Sequence, residues 1–559
     1  MNEVFKSAGT GLPMWTSKED KRGIDPLGMQ TTSVALYQEL LPGISNVTLR
    51  MRYYGFYAWL AQNYAERIGD TSVERWCVYL RRAEALYALI AAAENNERGV
   101  AGVIWASNKL AQTASGDLVF HPNTDRGSHP QYLKQKFGAF GAAYGSQLVE
   151  IGALEYVDAH QVPVPTADVG DQLAKLFHAS VCDAAEVFWH AAHEGTISRQ
   201  ELVRLAIMLP SRIEAGSEEC RLYQDLLFAK LHPKRPTAVM RSQTLRLILR
   251  AAQANVSGID VARVRWTLYA GRNAEGEAFD EVPSTEGEHR FAWSVYHAND
   301  LLHVAYEAIL RFVLDVLALT PAGLPLEHLV AKVAERLADA LTHHEAGTWD
   351  ALLMNIRLAA DPWSDSDALS EYRLHNDVLA TGDSDETDSD AIAARAILLL
   401  AVLHKRWEDQ LERVKLCCPI VAEGEFVQSI VTELSDLRAH ADLPLSELLR
   451  RLVQCRIIER HLWVAIQKFR GQGDYTFLLE CDEGRVRLRQ GTGPVLTNPR
   501  LSSAITFLRD LHLLNDAGPT TAGLEVLAAC HGAALWSQCG VGIRAPLEGR
   551  HIGASPRAA

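Results

Sequence analysis

Residues 288–318 read EHRFAWSVYHANDLLHVAYEAILRFVLDVLA. This is the longest unbroken helical pattern in the chain, and its apolar residues almost encircle it. A helix apolar on every side has no face left for water, so it belongs at the centre of a bundle. Its neighbours repeat the helical period. In 46–69 the residues Leu49, Tyr53, Phe56, Tyr57, Leu60 and Tyr64 fall three or four apart, with Asn46 placed to cap the start and Gly69 to stop it. Segments 74–94, 101–111, 171–193, 198–208, 217–231, 237–253, 326–341 and 349–358 continue in the same way. In 131–152, Gly138, Gly141 and Gly145 share one helical face that permits close packing. Strand signals are scarce. Residues 475–482 and 485–490 alternate about Glu483-Gly484 and predict one hairpin. The expected fold is mainly α: a multi-helix N-terminal region, then a C-terminal helical block with that single hairpin.

Bulk composition sets outer limits. The 559 residues exceed a typical single core, which predicts two to four domains. Hydrophobic content of 48% and charged content of 22% are those of a folded chain. A net charge of −14 argues against wholesale coating of nucleic acid but allows a local basic face. Nine cysteines without a Cys-x-x-Cys make no disulfide framework and suit a reducing cytoplasm. The opening MNEVFKSAGTGLPMW lacks the apolar core of a signal peptide. The longest apolar run, 391–403, is too short for a bilayer and is interrupted by Arg395. A cytoplasmic location with no membrane partner is expected.

The acidic stretch 361–390, DPWSDSDALSEYRLHNDVLATGDSDETDSD, breaks the helical rhythm and predicts a linker or loop. The expected division is an N-terminal helical domain 1–165, a middle helical domain 166–360, this linker, a C-terminal domain 391–545 and a flexible tail 546–559. No internal repeat of fixed period occurs.

Near the end, residues 495–528 read VLTNPRLSSAITFLRDLHLLNDAGPTTAGLEVLA. Leu501, Ile505, Leu508, Leu511 and Leu514 give one helix a buried stripe, with Thr497 or Asn498 as its cap. A tight turn and a second helix follow. Arg485, Arg487 and Arg489 alternate along the preceding strand and so share a face. Arg500 and Arg509 lie off the stripe, and Lys468 and Arg470 stand on the basic helix before the hairpin. From Glu447 to His512 there are eleven Lys/Arg against seven Asp/Glu. Cations gathered on a strand and a helix N-terminus suit a phosphate backbone. The stretch resembles the winged-helix domains of bacterial regulators over about one tenth of the chain. That resemblance implies either DNA contact, through these seven cations, or a structural protein interface.

Other constellations point to chemistry. Arg456 and His461 have an Arg-x4-His spacing that resembles the active-site motif of HEPN ribonucleases, although Ile457 stands where those enzymes carry a polar residue. The resemblance implies catalysis at a ribose 2′-hydroxyl; the other reading is a basic solvated or phosphate-facing helix. His297, Asp300 and His303 recur every third residue and bring N and O donors to one side of a helix, as a metal site requires or as a buried polar network would. His343-His344-Glu345 is a further small cluster. Arg50, Arg52, Tyr53, Tyr54 and Tyr57 mix cations with rings, which serves either a core or a base-stacking surface. No P-loop, dinucleotide fingerprint or nucleophile elbow occurs, and no cofactor is implied.

Taken with the YYGFYAWL and NDLLH helices, the TNPRL unit is similar to uncharacterised bacterial proteins of anti-phage defence clusters. The resemblance implies a non-catalytic DNA-binding or adaptor subunit, with DNA and a protein such as a helicase or nuclease as partners. A HEPN-like nuclease and a pure protein scaffold are the alternatives.

Overall fold

The computed structural model describes residues 25–529 apart from 95–96, 114–115, 126, 158–160, 256–257, 280–283, 381–387 and 423–425. It is 64% helix and 5% strand, so the mainly α expectation holds. The tail 546–559, the opening segment and most of TGDSDETDSD lie outside the described residues.

The helix Ser284–Ala318 runs 35 residues, about 52 Å at 1.5 Å per residue. Helices Gln30–Leu40, Pro236–Ala254, Val261–Ala270, Leu326–Ala340, Glu371–Leu379 and Ser389–Trp407 pack around it. Its residues from Phe291 to Leu310 are buried on all sides, as an encircling apolar pattern requires. A second layer surrounds the aromatic helix Tyr53–Arg67. There Tyr53, Phe56, Tyr57, Tyr87, Phe140 and Tyr144 pack ring against ring; the Phe56–Tyr87 centroids are 4.4 Å apart. Such pairs add stabilisation beyond their buried area.

Several boundaries move. The aromatic helix starts at Tyr53, not near Asn46, and Asn46 instead donates to the Asn498 carbonyl at 2.8 Å. Gly69 does stop it, at φ +63°. Residues 131–152 are not one helix: a π turn, Phe140–Tyr144, precedes the helix Gly145–Ile151. The acidic stretch is not all linker. Ser370 caps a helix, Glu371–Leu379, whose Leu374 and Val378 are buried against Ser389–Trp407. The segments expected as separate domains, 1–165, 166–360 and 391–545, share one continuous hydrophobic core among the described residues.

The predicted hairpin forms from Leu479–Asp482 and Arg485–Leu488, in register Glu480↔Arg487 and Asp482↔Arg485. Glu483 and Gly484 both have positive φ (+50° and +73°), the backbone that a two-residue turn of matching twist demands. A third strand, Leu324–Pro325, joins the edge of Arg485–Leu488 from beyond the central helix. After a strap, residues 489–500, helix Leu501–Asp510 leads into a short pair, Leu514–Asn515 with Gly518–Pro519, and into helix Thr521–Ala528, capped by Thr520. No described helix is long and apolar enough to cross a membrane.

Candidate nucleic-acid interface and the buried charge ladder

The chemistry nominated on the central helix turns inward. Asp300 pairs with Arg265, and both are buried. His303 lies between two carboxyls, with Nδ1 3.3 Å from Asp300 and Nε2 2.9 Å from Glu307. Burial alone would lower the His303 pKa, but Glu307 and Asp300 overcome it and raise the value to about 10. Burial would raise Asp300, yet Arg265 and His303 hold it far below the usual carboxylate range. A protonated imidazole has no lone pair for a metal, so His303 is a poor ligand. His297 faces away, packed on Trp266 at 4.5 Å between ring centroids, and accepts from Arg265 Nε at 3.3 Å. Among the described residues no group of three His, Cys, Asp or Glu side chains is arranged to hold a metal ion. The expectation of a metal at His297, Asp300 and His303 therefore gives way to its alternative, a buried polar network. His343 and Glu345 are exposed.

This network serves the strap. The Val495 N–H donates to Glu307 at 3.2 Å and the Thr497 N–H to Asp300 at 3.2 Å. The Thr497 hydroxyl meets that of Tyr296 at 2.9 Å, and its carbonyl accepts from Arg265 at 3.2 Å. Arg311 donates to the Thr492 carbonyl. Side chains at 296, 300, 307 and 311 recur at helical spacing, so one face of the central helix holds successive strap residues. Thr497 is thereby unavailable as a helix cap. The following helix starts at Leu501, with Arg500 at φ +66° and no side-chain cap.

Arg456 and His461 are likewise engaged elsewhere. Arg456 forks onto buried Glu433. His461 Nδ1–H donates to the Pro26 carbonyl at 3.0 Å, and its Nε2 accepts the Leu478 N–H at 2.9 Å. A carbonyl only accepts and an N–H only donates, so this imidazole is neutral with a fixed tautomer. Burial lowers its pKa to about 4. It is a cross-link between two backbone segments and leaves no ring nitrogen to move a substrate proton.

The seven nominated cations separate by environment. On the hairpin, Arg485, Arg487 and Arg489 do share the outer face, but Glu480 and Asp482 share it too. Arg487 pairs with Asp482 at 2.9 Å and Arg489 with Glu480 at 3.3 Å. Arg485 donates to the Gly323 carbonyl and stands opposite Asp482. Arg509 pairs with Asp516. Arg500 is buried, donating to the Ile44 carbonyl at 2.7 Å and lying 5.5 Å from the Tyr37 ring centroid. In helix Leu501–Asp510 only Ser502 and Arg509 are exposed, so it presents no free face to a DNA groove. Arg50 and Arg52 pair with Glu97 and Asp510 and with Glu219, and their tyrosine neighbours are buried; that segment is core.

Helix Glu459–Gln472 differs. Its inner side clamps the turn at the start of the described chain: Lys468 donates to the Asp25 carbonyl, His461 to that of Pro26 and Arg460 to that of Leu27. Its outer side carries Trp463, Ile466, Phe469 and Arg470. The described ion pairs of this region, Arg451–Asp436, Arg456–Glu433, Arg487–Asp482 and Arg489–Glu480, include neither Arg460 nor Arg470. Arg460 instead lies 4.7 Å from the Trp463 ring centroid, and Phe426 stacks on Trp463 at 4.8 Å. Beyond the helix end, Tyr475 and Phe477 extend the row of rings, with centroids 5.0 Å apart. The sequence signal for this face is FRGQGDYTF, residues 469–477, where rings alternate with polar and glycine residues. Comparison of the chain with protein-family models, curated proteins and solved structures gives no match.

Proposed function

We propose that this chain is a non-catalytic adaptor subunit that binds nucleic acid through the outer face of helix Glu459–Gln472 and the segment after it. One observation carries the reading: in a chain of net charge −14, exposed Arg470 stands outside the described ion pairs, next in sequence to the exposed ring of Phe469. Cations interleaved with rings are what a polyanion with planar bases requires. The engagement of Arg456, His461, Asp300 and His303 in internal contacts supports the non-catalytic half. The nominated hairpin arginines are secondary in this reading, because Arg487 and Arg489 are paired with Asp482 and Glu480 and Arg485 is tied to the Gly323 carbonyl.

The test is retention of labelled DNA and RNA by the full chain as salt is raised. Affinity falls log-linearly with salt, and Arg470→Gln weakens it. No salt-sensitive retention by the native protein rejects the reading. A second reading, a protein scaffold, is favoured at the terminal unit by the burial of helix Leu501–Asp510. It predicts a stable protein complex and no nucleic-acid affinity at low salt. The anti-phage setting and a helicase or nuclease partner rest on the sequence resemblance alone.

A further inference from the structure

We infer that the nucleic acid held on this face is single-stranded, its bases stacking on Phe469 and Tyr475 with Phe477 beneath them. The inference rests on the proposed nucleic-acid role and names its ligand. Phe469 and Tyr475 are 52% and 47% exposed, while Phe477 is half-buried. The Phe469 and Tyr475 rings meet edge to face, 6.3 Å between centroids, and Phe477 supports Tyr475 from 5.0 Å. Single exposed apolar residues are ordinary on a protein surface, but contiguous rings mark a contact site.

Tyr475 is also fixed in place. Its hydroxyl donates to Glu480 at 2.6 Å, and the Arg489 guanidinium lies 5.7 Å from its ring centroid. A ring already held loses little freedom when a base stacks on it. Arg470, one residue from Phe469 and exposed, supplies charge for the phosphate that follows a stacked base. Trp463 differs from these rings in being half-buried, with Phe426 stacked on it. A duplex cannot use this surface, because its bases are stacked on each other. Helix Leu501–Asp510, packed into the body, offers no free face to a duplex groove. Exposed Arg470 beside the Phe469 ring fits a phosphate next to a stacked base, and aromatic stacking sets the single-stranded form.

The experiment is fluorescence anisotropy of labelled oligothymidylate and of a duplex of equal length with the full chain, at several salt concentrations. The variants are Phe469→Ala, Tyr475→Ala, Tyr475→Phe and Arg470→Gln. All three positions are exposed, and an unchanged thermal midpoint checks folding. The single strand binds more tightly than the duplex. Each alanine variant loses affinity on the order of tenfold with little change in salt slope, and Tyr475→Phe retains binding because the ring remains. Arg470→Gln lowers the salt slope by about 0.7, one phosphate contact. Native affinity in both alanine variants, or equal binding of duplex and single strand, overturns the stacking inference while the adaptor role stands. No binding of either nucleic acid by the native chain overturns both.

Discussion

The hairpin strand Arg485–Leu488 and the helix Glu459–Gln472 both display arginine, yet the fold treats them oppositely. On the hairpin, antiparallel pairing brings Glu480 and Asp482 to the same face as the arginines, and the charges close on one another. On the helix, Arg460 donates to the Leu27 and Phe426 carbonyls, which accept hydrogen bonds without cancelling charge, and exposed Arg470 stands outside the described ion pairs. Local net charge is therefore a poor guide to a polyanion site. What matters is whether the secondary structure places a carboxylate within reach of each cation.

The largest effect belongs where pairing is complete and dry. Arg265→Met leaves Asp300 buried without its partner and should destabilise the protein by about 3–5 kcal/mol. Denaturant midpoints measure this; a loss as small as that of an exposed hairpin arginine would break the contrast between buried and surface charge. Binding by the folded fraction should be unchanged.

Next comes a gain. Glu480→Gln with Asp482→Asn releases Arg487 and Arg489 while leaving an amide oxygen to accept the Tyr475 hydroxyl. Nucleic-acid affinity at low salt should rise on the order of tenfold, and the salt slope should steepen by about 0.7 for each phosphate gained. Unaltered affinity would mean that intramolecular pairing was not what kept the hairpin silent.

The ladder makes stability depend on pH. The His303 pKa is raised from 6.5 to about 10 in the fold, so the folded state holds a proton that the unfolded chain loses between these values. Its contribution is whole below about pH 6.5 and fades as pH rises through 10. The melting midpoint should fall between pH 7 and 10, and fall less in His303→Gln. Histidine ring NMR should show the imidazolium persisting at pH 8; a neutral ring there contradicts the ladder. The smallest effect is expected for Arg487→Ala, an exposed pair worth about 0–1 kcal/mol.

Much of the architecture was legible in the residues, because the helical period survives in every long segment. The encircling pattern of 288–318 located the central helix, and Glu483-Gly484 located the hairpin turn. The strand Leu324–Pro325 was not legible: two residues carry no period. Thr497 read as a cap from local propensity, but a buried carboxylate more than 190 residues away claims its backbone and Tyr296 its hydroxyl. The mixed charge of the hairpin was legible, since Glu480 and Asp482 alternate as visibly as Arg485 and Arg487. Counting charge over 447–512 averaged over both the pairing and the exception. The exposure of Phe469 and Tyr475 could not be read at all, because it depends on which side of the helix, and of the segment after it, the body covers.

The most direct test compares Arg470→Gln with Arg487→Gln in the salt dependence of single-strand affinity. The account predicts a slope reduced by about 0.7 for the first variant and an unchanged slope for the second. Equal slopes in both variants, or a reduction confined to Arg487→Gln, would contradict it.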